Sequence, residues 1–318
     1  MEARTNPSLD IITSALNEEE CLNEFVSCIF LVMEKHPAYK WRLIICDNGS
    51  ADSTWKIISQ LSADNANILG VRMSRTFPLD AAFTMGLDYA RADAAVIMAS
   101  DLQDPPEVLH AFIEKYEEGY EQVVAKVIRR QQVPFLRRRL TSLFYFVANK
   151  ATGNVIPRGI SDFRLLSRSA YLAAKQMRER NRFLRGLISW TGFKTYEVEI
   201  ERPNRFAGDS TFVKIKLRIV IRWALGAILA HTTSPLHFVS ILGFALSGAS
   251  ILATLTLPIF WITHGVPFGG YGTIIGLMTL GFSIILGAIG VISQYLALIY
   301  EEVKQRPIYI VAETTQKI

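Results

Sequence analysis

The sequence predicts an α/β protein with a mostly parallel, doubly wound sheet, followed by two membrane-spanning helices. Two observations predict the sheet: in the first 125 residues short apolar runs alternate with longer mixed segments, and polar residues end the apolar runs. Such alternation is typical of parallel sheets with helices on both faces. A third observation predicts the membrane segment, because residues 223–300 contain no Asp, Glu, Lys or Arg. Burial in lipid is the simplest explanation, since soluble domains have about 25% charged residues.

The first 125 residues contain five predicted strands and four predicted helices. The strands are Leu9–Ala15, Trp41–Asp47, Ile68–Met73, Ala94–Met98 and the weaker Gln122–Ala125. The helices are Glu18–Lys35, Ser53–Ala63, Leu79–Arg91 and Pro106–Glu118, the last beginning with a proline that suits a first turn. Ligands of such sheets bind beyond the carboxyl ends of the strands. Asn17, Asp47 and Asp101 follow three of those ends.

Two apolar segments near the C-terminus are predicted to cross a membrane. Leu236–Thr263 and Tyr271–Tyr300 each exceed the roughly 20 residues that span a bilayer, and residues 264–270 allow only a hairpin turn between them. Lys and Arg on the outer flanks place those flanks in the cytoplasm. Phe135–Ala151 is either an interfacial amphipathic helix or a helix packed on its own domain. Residues 212–230 favour an interfacial helix.

Charge is distributed unevenly along the chain. Residues 1–125 carry 9 basic and 20 acidic side chains, whereas residues 126–222 carry 22 basic and 6 acidic ones. The basic half favours attraction to anionic lipid headgroups and phosphorylated ligands, or the ordinary positive-inside bias, and the two are compatible. Three cysteines without metal-ligand spacing indicate a reducing compartment, and no signal peptide is expected at the N-terminus.

Polar residues after three predicted strands are candidates for chemistry. Asp101 and Gln103 stand two positions apart, so both side chains can face the divalent cation that a diphosphate leaving group needs. Asn17 and Glu18 can hydrogen-bond a base or ribose, or they can cap the following helix. Asp47 can accept from a base or ribose, or it can belong to a plain turn. The residues alone leave these alternatives open.

Seven stretches resemble one family, the polyprenyl-phosphate glycosyltransferases of inverting family 2. That family includes bactoprenol glucosyltransferases and dolichol-phosphate mannose synthases. The stretches are LNEEE (16–20), CDNGSADST (46–54), SDLQDPPE (100–107), SDFRLLSR (161–168), NRFLRGLISWTGF (181–193), ERPNRFAGDSTF (201–212) and YEEVKQRPIYIV (300–311). They cover nearly the whole chain, and the two-span arrangement is most similar to the bactoprenol glucosyltransferases.

The resemblance implies a GT-A fold, a UDP-sugar donor, a divalent cation (Mg²⁺ or Mn²⁺) and a polyprenyl monophosphate acceptor. By motif position, Asn17, Glu18 and Asp47 would hold the nucleoside. Asp101 and Gln103 would hold the metal and the diphosphate, and they are the predicted metal ligands and catalytic residues together with Asp162 and Arg164. Asp162 would orient the acceptor or pair with an arginine.

Two anionic reactants repel each other, so the reaction needs cations around it. The candidates for the lipid phosphate are Arg164, Arg182, Arg185, Arg202 and Arg205. Arg129 is a candidate, with Asp101, for binding the nucleotide-sugar donor, and Arg130 is a further candidate for that role. A phosphate monoester is largely dianionic at pH 7, so positioning and charge stabilisation should dominate over base catalysis.

The chain departs from the family pattern at four places. Ala99 stands where many members have the first Asp of Asp-x-Asp, and Asn48 replaces the second Asp of Asp-Asp-Gly. Ser161 replaces the usual glycine before Asp162. Residues 75–80 replace a polar, glycine-containing loop, so the sequence assigns Asp80 no role.

Four regions are expected: a cytoplasmic GT-A domain at 1–211, a juxtamembrane amphipathic helix at 212–234, a transmembrane hairpin at 235–300 and a cytoplasmic tail at 301–318. The expected location is the cell inner (plasma) membrane, multi-pass, with both termini cytoplasmic. We expect a homo-oligomer, tetramer or dimer, because the spans are rich in small residues. No nucleic-acid partner is expected.

The expected reaction transfers a sugar, with glucose from UDP-glucose as first choice, to undecaprenyl (bactoprenyl) monophosphate with inversion. Two alternatives stay open. A processive polysaccharide synthase would share the donor site, although such enzymes usually have more spans and a Gln-x-x-Arg-Trp signature. A non-catalytic membrane scaffold with a decayed transferase domain is prompted by Ala99 and Asn48.

Overall fold

The computed structural model describes residues 7–130, 159–180, 182–203 and 270–316, with six isolated positions between 236 and 263. The chain divides into two units, residues 1–222 with 306–318, and residues 223–305. The predicted helices at 135–151 and 212–230, and most of the first predicted span, lie outside the described residues.

The predicted strands and helices of the first 125 residues are confirmed, in the predicted order. They are β1 (Ser8–Ala15), α1 (Leu22–Glu34), β2 (Lys40–Asp47), α2 (Thr54–Asp64), β3 (Ile68–Met73), α3 (Leu79–Tyr89), β4 (Ala94–Ala99), α4 (Val108–Glu117) and β5 (Gln122–Arg130). The later described elements are β6 (Ile160–Ser167), α5 (Arg168–Gln176), α6 (Leu184–Trp190), β7 (Thr195–Arg202), α7 (Tyr271–Val303) and β8 (Val311–Thr314).

The described strands form an eight-stranded sheet in the order β7-β5-β6-β4-β1-β2-β3-β8. β1 pairs in parallel with β2 and β4, β2 pairs in parallel with β3, and β5 pairs in parallel with β7. β6 runs antiparallel to both β4 and β5, and β8 runs antiparallel to β3. The sheet is therefore mostly parallel, as predicted, with two antiparallel strands.

Apolar side chains pack on both faces of this sheet. Ile11 and Ile12 are adjacent and both fully buried, yet they belong to two different hydrophobic clusters. Alternate residues of a strand point to opposite faces, so a strand covered on both sides must be apolar throughout. Gly86 of α3 permits one of these contacts, because a Cβ at that position would lie 2.2 Å from Cγ2 of Ile12.

The antiparallel direction of β6 brings a second motif to the edge where the parallel strands end. Ala94 pairs with Ser167 and Ile97 pairs with Arg164. Continuing this register places Ser161 and Asp162 beside the last residues of β4. The motif SDFRLLSR therefore begins at the same edge as the loop that contains Asp101.

The C-terminal tail returns to the first unit and adds β8 to the edge of the sheet. Val71 pairs with Thr314, and the Thr315 amide donates to the Gly70 carbonyl at 3.0 Å. Upstream of the strand, the Tyr309 hydroxyl donates to Asp88 at 2.7 Å. Residues 306–318 are thus part of the sheet domain.

The second predicted span coincides with α7, a helix of 33 residues. Among the residues that the structure describes, no helix meets both the length and the apolar character needed to cross a bilayer. The described part of the chain therefore does not support the two predicted transmembrane helices.

Candidate active site

The loops that follow β1 and β2 interlock through side chains. The Ala51 amide donates to Asn17 Oδ1 at 2.9 Å, and the Asn17 amide donates to Ser50 Oγ at 3.0 Å. The Glu18 amide donates to Thr54 Oγ1 at 2.9 Å. Asn17 has a φ of 55°, a conformation that asparagine tolerates better than most residues. Two segments predicted to contact the nucleoside therefore form one structure.

Asp47 lies fully buried at the end of β2. Its carboxylate accepts from the Ser50 amide at 3.0 Å, and Arg72 Nε of β3 lies 3.2 Å from its Oδ2. That Arg72 distance makes an ion pair, but Oδ2 has no hydrogen bond of good geometry within the described residues. Burial raises the pKa of Asp47, which Ser50 and Arg72 oppose. A buried acceptor of this kind suits a base N–H or a ribose hydroxyl.

Asn48 has a structural partner that explains one departure from the family pattern. Its Nδ2 donates to the Phe77 carbonyl at 2.9 Å, and its Oδ1 accepts from the Phe77 amide at 2.8 Å. An ionised Asp could accept but could not donate, so only an amide satisfies both backbone groups. The next residue, Gly49, has a φ of 74°, and a Cβ there would lie 2.6 Å from the Arg75 carbonyl carbon. Asn48 and Gly49 together hold residues 75–77 against the loop.

The loop after β4 uses its two carboxylates differently. The Gln103 amide donates to Asp101 Oδ1 at 3.1 Å, and both side chains are partly exposed. Asp104 is buried instead, and it accepts from the Ala99 amide at 3.1 Å and from Arg202 Nε at 3.0 Å. Burial raises the pKa of Asp104, and the Arg202 guanidinium opposes that shift. Asp104 therefore fixes the loop, while Asp101 and Gln103 lie where a ligand can reach them.

Arg202 joins this loop to the start of β6. Besides contacting Asp104, its Nη2 donates to Ser161 Oγ at 2.7 Å. A glycine, usual at position 161 in the family, could not accept this bond. The predicted role of Arg202 as a direct ligand of lipid phosphate stays untested, but its guanidinium already has protein partners.

Asp162 and Arg185 form a two-pronged ion pair, with Nε to Oδ1 at 3.0 Å and Nη2 to Oδ2 at 2.6 Å. About 32% of the Asp162 side chain is exposed. Although desolvation acts to raise it, the guanidiniums of Arg185, Arg164 and Arg202 hold the pKa of Asp162 below its usual range. Asp162 thus stays ionised, and it serves to orient a guanidinium.

Arg164 is fully buried in β6, which is rare for arginine. Its Nη2 donates to the Ser161 carbonyl at 2.9 Å and its Nε to the Asp162 carbonyl at 3.3 Å. Nη1 is buried and has no hydrogen-bond partner among the residues that the structure describes. Desolvation lowers the pKa of Arg164 to about 10, so the group remains charged at neutral pH. A buried cation with an unsatisfied donor is suited to a bound anion.

Arg182 lies just before α6. It donates to the carbonyls of Met177 and Ala174, and its buried Nε has no partner among the described residues. Desolvation lowers its pKa. The main-chain amide of Leu184, two residues later, donates to Asp80 Oδ1 at 3.3 Å.

The structure thus groups most of the predicted site residues. Asn17, Glu18 and Asp47 lie in the joined loops, Asp101 and Gln103 share one loop, and Asp162, Arg164 and Arg185 form one cluster. Arg129 lies in β5 with its side chain outside the described set, and Arg205 lies outside the described residues. Sequence reasoning missed Arg72, Asp80 and Asp104. Position in the motif DLQDPP could have signalled Asp104, whereas Arg72 and Asp80 had no signal of their own.

Similarity to known proteins defines the class. The model of the family "Glycosyl transferase family 2" matches residues 10–173, and the chain belongs to that family. It is therefore a glycosyltransferase, with a GT-A-like α/β fold. It is 33% identical over 312 residues to a bactoprenol glucosyl transferase of Shigella phage SfV, across 97% of this chain and 99% of that one.

Other relatives extend this similarity. A glycosyltransferase of Bacillus subtilis is 32% identical over 304 residues, covering 96% of this chain and 93% of its own length. Among solved structures, glucosyl-3-phosphoglycerate synthase from Mycobacterium tuberculosis, in complex with Mn²⁺ and UDP-glucose, is similar with a TM-score of 0.47 and 17% identity. That match covers 70% of this chain and 80% of the synthase.

Proposed function

We propose that this glycosyltransferase moves a hexose from a UDP-sugar to a polyprenyl monophosphate, with inversion, to give a lipid-linked sugar. The observation that carries the proposal is the buried Arg164, whose Nη1 has no partner within the described part of the chain, beside the Asp162–Arg185 pair. The relatives named bactoprenol glucosyl transferase match nearly full length, which supports glucose as the sugar and a polyprenyl phosphate as the acceptor.

The donor half of the site supports a nucleoside diphosphate. The uracil or ribose would meet the buried carboxylate of Asp47 and the joined loops that contain Asn17 and Glu18. The diphosphate would then lie at the loop of Asp101. Arg202 holds that loop against β6, so donor and acceptor groups are supported by one connected set of contacts.

Asp101 and Gln103 fit a divalent cation, Mg²⁺ or Mn²⁺, by their chemistry. Both offer oxygen ligands, and Mg²⁺ is commonly held by one or two carboxylates together with substrate phosphates and water. Among the described residues no three His, Cys, Asp or Glu side chains form a metal-ligand cluster, and Asp104 is paired with Arg202. When bound, the cation would neutralise charge on the departing diphosphate.

The chain's own residues would position the acceptor phosphate. The second pKa of a phosphate monoester is about 6, so the acceptor phosphate is largely dianionic at neutral pH and needs no strong base to activate it. Arg164 would donate to the phosphate, and Asp162 would hold Arg185 in a fixed orientation. The preorganised guanidiniums would offset repulsion between the acceptor and the UDP-sugar, which lowers the barrier by electrostatic stabilisation.

We further propose that the uncharged residues 223–300 hold the enzyme in the inner (plasma) membrane, with the sheet domain and both termini in the cytoplasm. The support is the absence of charge over that stretch and the basic residues that precede it. Association into a homo-oligomer, as a tetramer or dimer, remains part of this proposal because the stretch is rich in Gly, Ala and Ser.

The test uses full-length enzyme in nanodiscs, with radiolabelled UDP-glucose and undecaprenyl phosphate. Arg164→Lys keeps the charge but loses the planar fork, so kcat/KM for the acceptor should fall by at least about tenfold. UDP affinity, measured by calorimetry, should stay within about threefold of wild type. Arg178→Lys is the control, because it makes the same change at a half-exposed arginine that pairs with Asp88 at 2.7 Å and has no proposed role with either substrate.

Three results would overturn the proposal. A long polymer instead of a single lipid-linked sugar indicates a processive synthase. Binding of UDP-glucose without turnover, whichever divalent cation is added, indicates a non-catalytic scaffold. Loss of UDP binding in Arg164→Lys with unchanged acceptor kinetics assigns Arg164 to the donor.

A further inference from the structure

Asp80 connects two elements that meet at the proposed acceptor site. It lies in the first turn of α3, and its Oδ1 accepts from the Leu184 amide at 3.3 Å. Leu184 is the first residue of α6, and the N-cap residue Phe183 supplies no side-chain bond. The first amides of a helix have no partner within the helix. Asp80 therefore acts as the cap of α6, supplied from 104 residues earlier in the chain.

The residue next to that cap forms the central ion pair of the site. Arg185 follows Leu184 directly and binds both oxygens of Asp162. Because a two-pronged pair requires a fixed guanidinium plane, its geometry depends on where α6 begins. Fixing the Leu184 amide therefore fixes the backbone from which Arg185 reaches Asp162.

Charged groups from three elements surround Asp80. They are Asp162 and Arg164 of β6, Arg185 of α6, and Arg182 of the segment between α5 and α6. Desolvation raises the pKa of Asp80 to about 7, Asp162 acts in the same direction, and the Leu184 amide, Arg185 and Arg182 oppose it. Asp80 thus exchanges a proton near neutral pH.

The charge balance of this cluster depends on that proton. With both carboxylates ionised, three guanidiniums against two carboxylates leave one positive charge. A proton on Asp80 leaves two positive charges, which match in number the two negative charges of a phosphate monoester dianion. Binding such a dianion should therefore favour the protonated form of Asp80.

We propose that Asp80 is a positioning residue of the acceptor site, which fixes α6 and Arg185 through Leu184 and takes up a proton when a phosphate dianion binds. This inference rests on the proposed function. Asp80→Asn keeps an oxygen for the Leu184 amide and mimics the protonated state, whereas Asp80→Ala removes the cap. The two variants therefore separate positioning from titration.

The kinetic test uses farnesyl phosphate and UDP-glucose with the full-length enzyme between pH 7 and 9, where the acceptor is already dianionic. Wild-type affinity for farnesyl phosphate should fall as pH rises, by up to about tenfold per unit, whereas Asp80→Asn should show a flat profile. Asp80→Ala should lower kcat/KM for the acceptor by at least about tenfold at every pH, with UDP affinity within about threefold. Asp64→Asn, an exposed carboxylate at the end of α2, is the control.

A substrate-free measurement keeps this inference separate from the proposed function. The pKa of Asp80 lies above the value of about 3.9 in unfolded chains, so its ionisation destabilises the folded state progressively as pH rises from about 4 through 7. Asp80→Asn should therefore raise the Tm relative to wild type more at pH 8 than at pH 5. This holds whatever the acceptor is.

Two results would overturn the inference. One is that Tm and acceptor affinity each depend on pH in the same way in Asp80→Asn as in wild type. The other is additive behaviour of Asp80→Ala and Arg185→Lys in a double-mutant cycle on acceptor kcat/KM, since residues acting through one contact should be non-additive. If wild type shows no activity with any polyprenyl phosphate while the Tm difference is present, the proposed function fails and the titration of Asp80 stands.

Discussion

Asp101 is the carboxylate on which the proposed metal binding in the donor half would depend. Ala99 removes the first acidic position of the loop, and Asp104 is occupied by the Ala99 amide and Arg202. The partly exposed Asp101 therefore has no neighbouring carboxylate in this loop to substitute for it. Because the Asp101 carboxylate and the Gln103 side-chain amide offer few ligands, we expect the cation to bind mainly together with the donor diphosphate, which supplies further oxygen ligands.

Asp101→Asn should lower turnover by at least about 10²-fold at saturating Mg²⁺, the scale of one lost electrostatic contact in an active site. Initial rates with UDP-glucose measure this effect, and Asp64→Asn serves as the exposed control. Near-normal turnover of the variant, or full wild-type activity in EDTA, would show that Asp101 does not hold a required cation.

Asn48 is a second residue at which we expect substitution of the side chain to be costly, because its amide both donates to and accepts from the backbone of Phe77. Asn48→Asp loses the donor to the Phe77 carbonyl and adds a buried carboxylate next to Asp47. The free energy of unfolding should fall by about 1–3 kcal/mol, the cost of leaving a buried polar group unsatisfied. Urea denaturation at pH 7 measures it, with the exposed Asn67→Asp as control. Equal stability of the two variants would contradict a structural role for the amide.

At the scale of elements, β8 connects the C-terminal tail to the loops of the proposed nucleotide site. Glu313 lies 3.7 Å from Arg72 and accepts from the Trp55 indole at 2.9 Å, and Arg72 in turn lies 3.2 Å from Asp47. The strand therefore supports the side chain that faces the proposed base pocket. Thr315 adds contacts with Gly70 and Ser62.

Deleting residues 311–318 should destabilise the sheet domain and weaken UDP binding. Each lost hydrogen bond is worth about 0.5–1.5 kcal/mol, so several together should lower the free energy of unfolding measurably. Glu313→Gln is the milder variant, and its exposed ion pair predicts a change in UDP affinity below about fivefold. Thermal denaturation and calorimetry with UDP measure both effects. Unchanged stability and UDP affinity after the deletion would show that β8 is dispensable.

At the scale of the whole molecule, the sequence predicts the strands in which consecutive residues are buried. β1 to β4 are mainly apolar on both faces, and because β1, β2 and β4 are parallel, the polar residues Asn17, Asp47 and Asp101 follow them at one edge, as predicted. β6 was not predicted as a strand, because its Asp162 and Arg164 make the motif look like a polar loop. Asp162 pairs with Arg185, and Arg164 is buried with hydrogen bonds to backbone carbonyls.

Contacts between distant residues explain what the sequence could not predict. Arg202 meets Asp104 across 98 residues, and Leu184 meets Asp80 across 104 residues. The sequence around a charged residue does not show which distant residue it pairs with. The arginines that the sequence assigns together to the lipid phosphate therefore have different environments in the structure. Arg164 is buried with one donor that lacks a partner among the described residues, Arg185 pairs with Asp162, and Arg202 stabilises a loop.

The long stretch of sequence between β3 and β8 also determines when the sheet can be completed during synthesis. The ribosome makes β3 more than two hundred residues before β8, at roughly 5–20 residues per second. Until residues 311–314 have left the ribosome, the outer edge of β3 has unpaired amide and carbonyl groups, which can pair with other chains. The sheet is therefore completed only after β8 has been made, and a nascent chain stalled before residue 311 exposes a surface prone to aggregation.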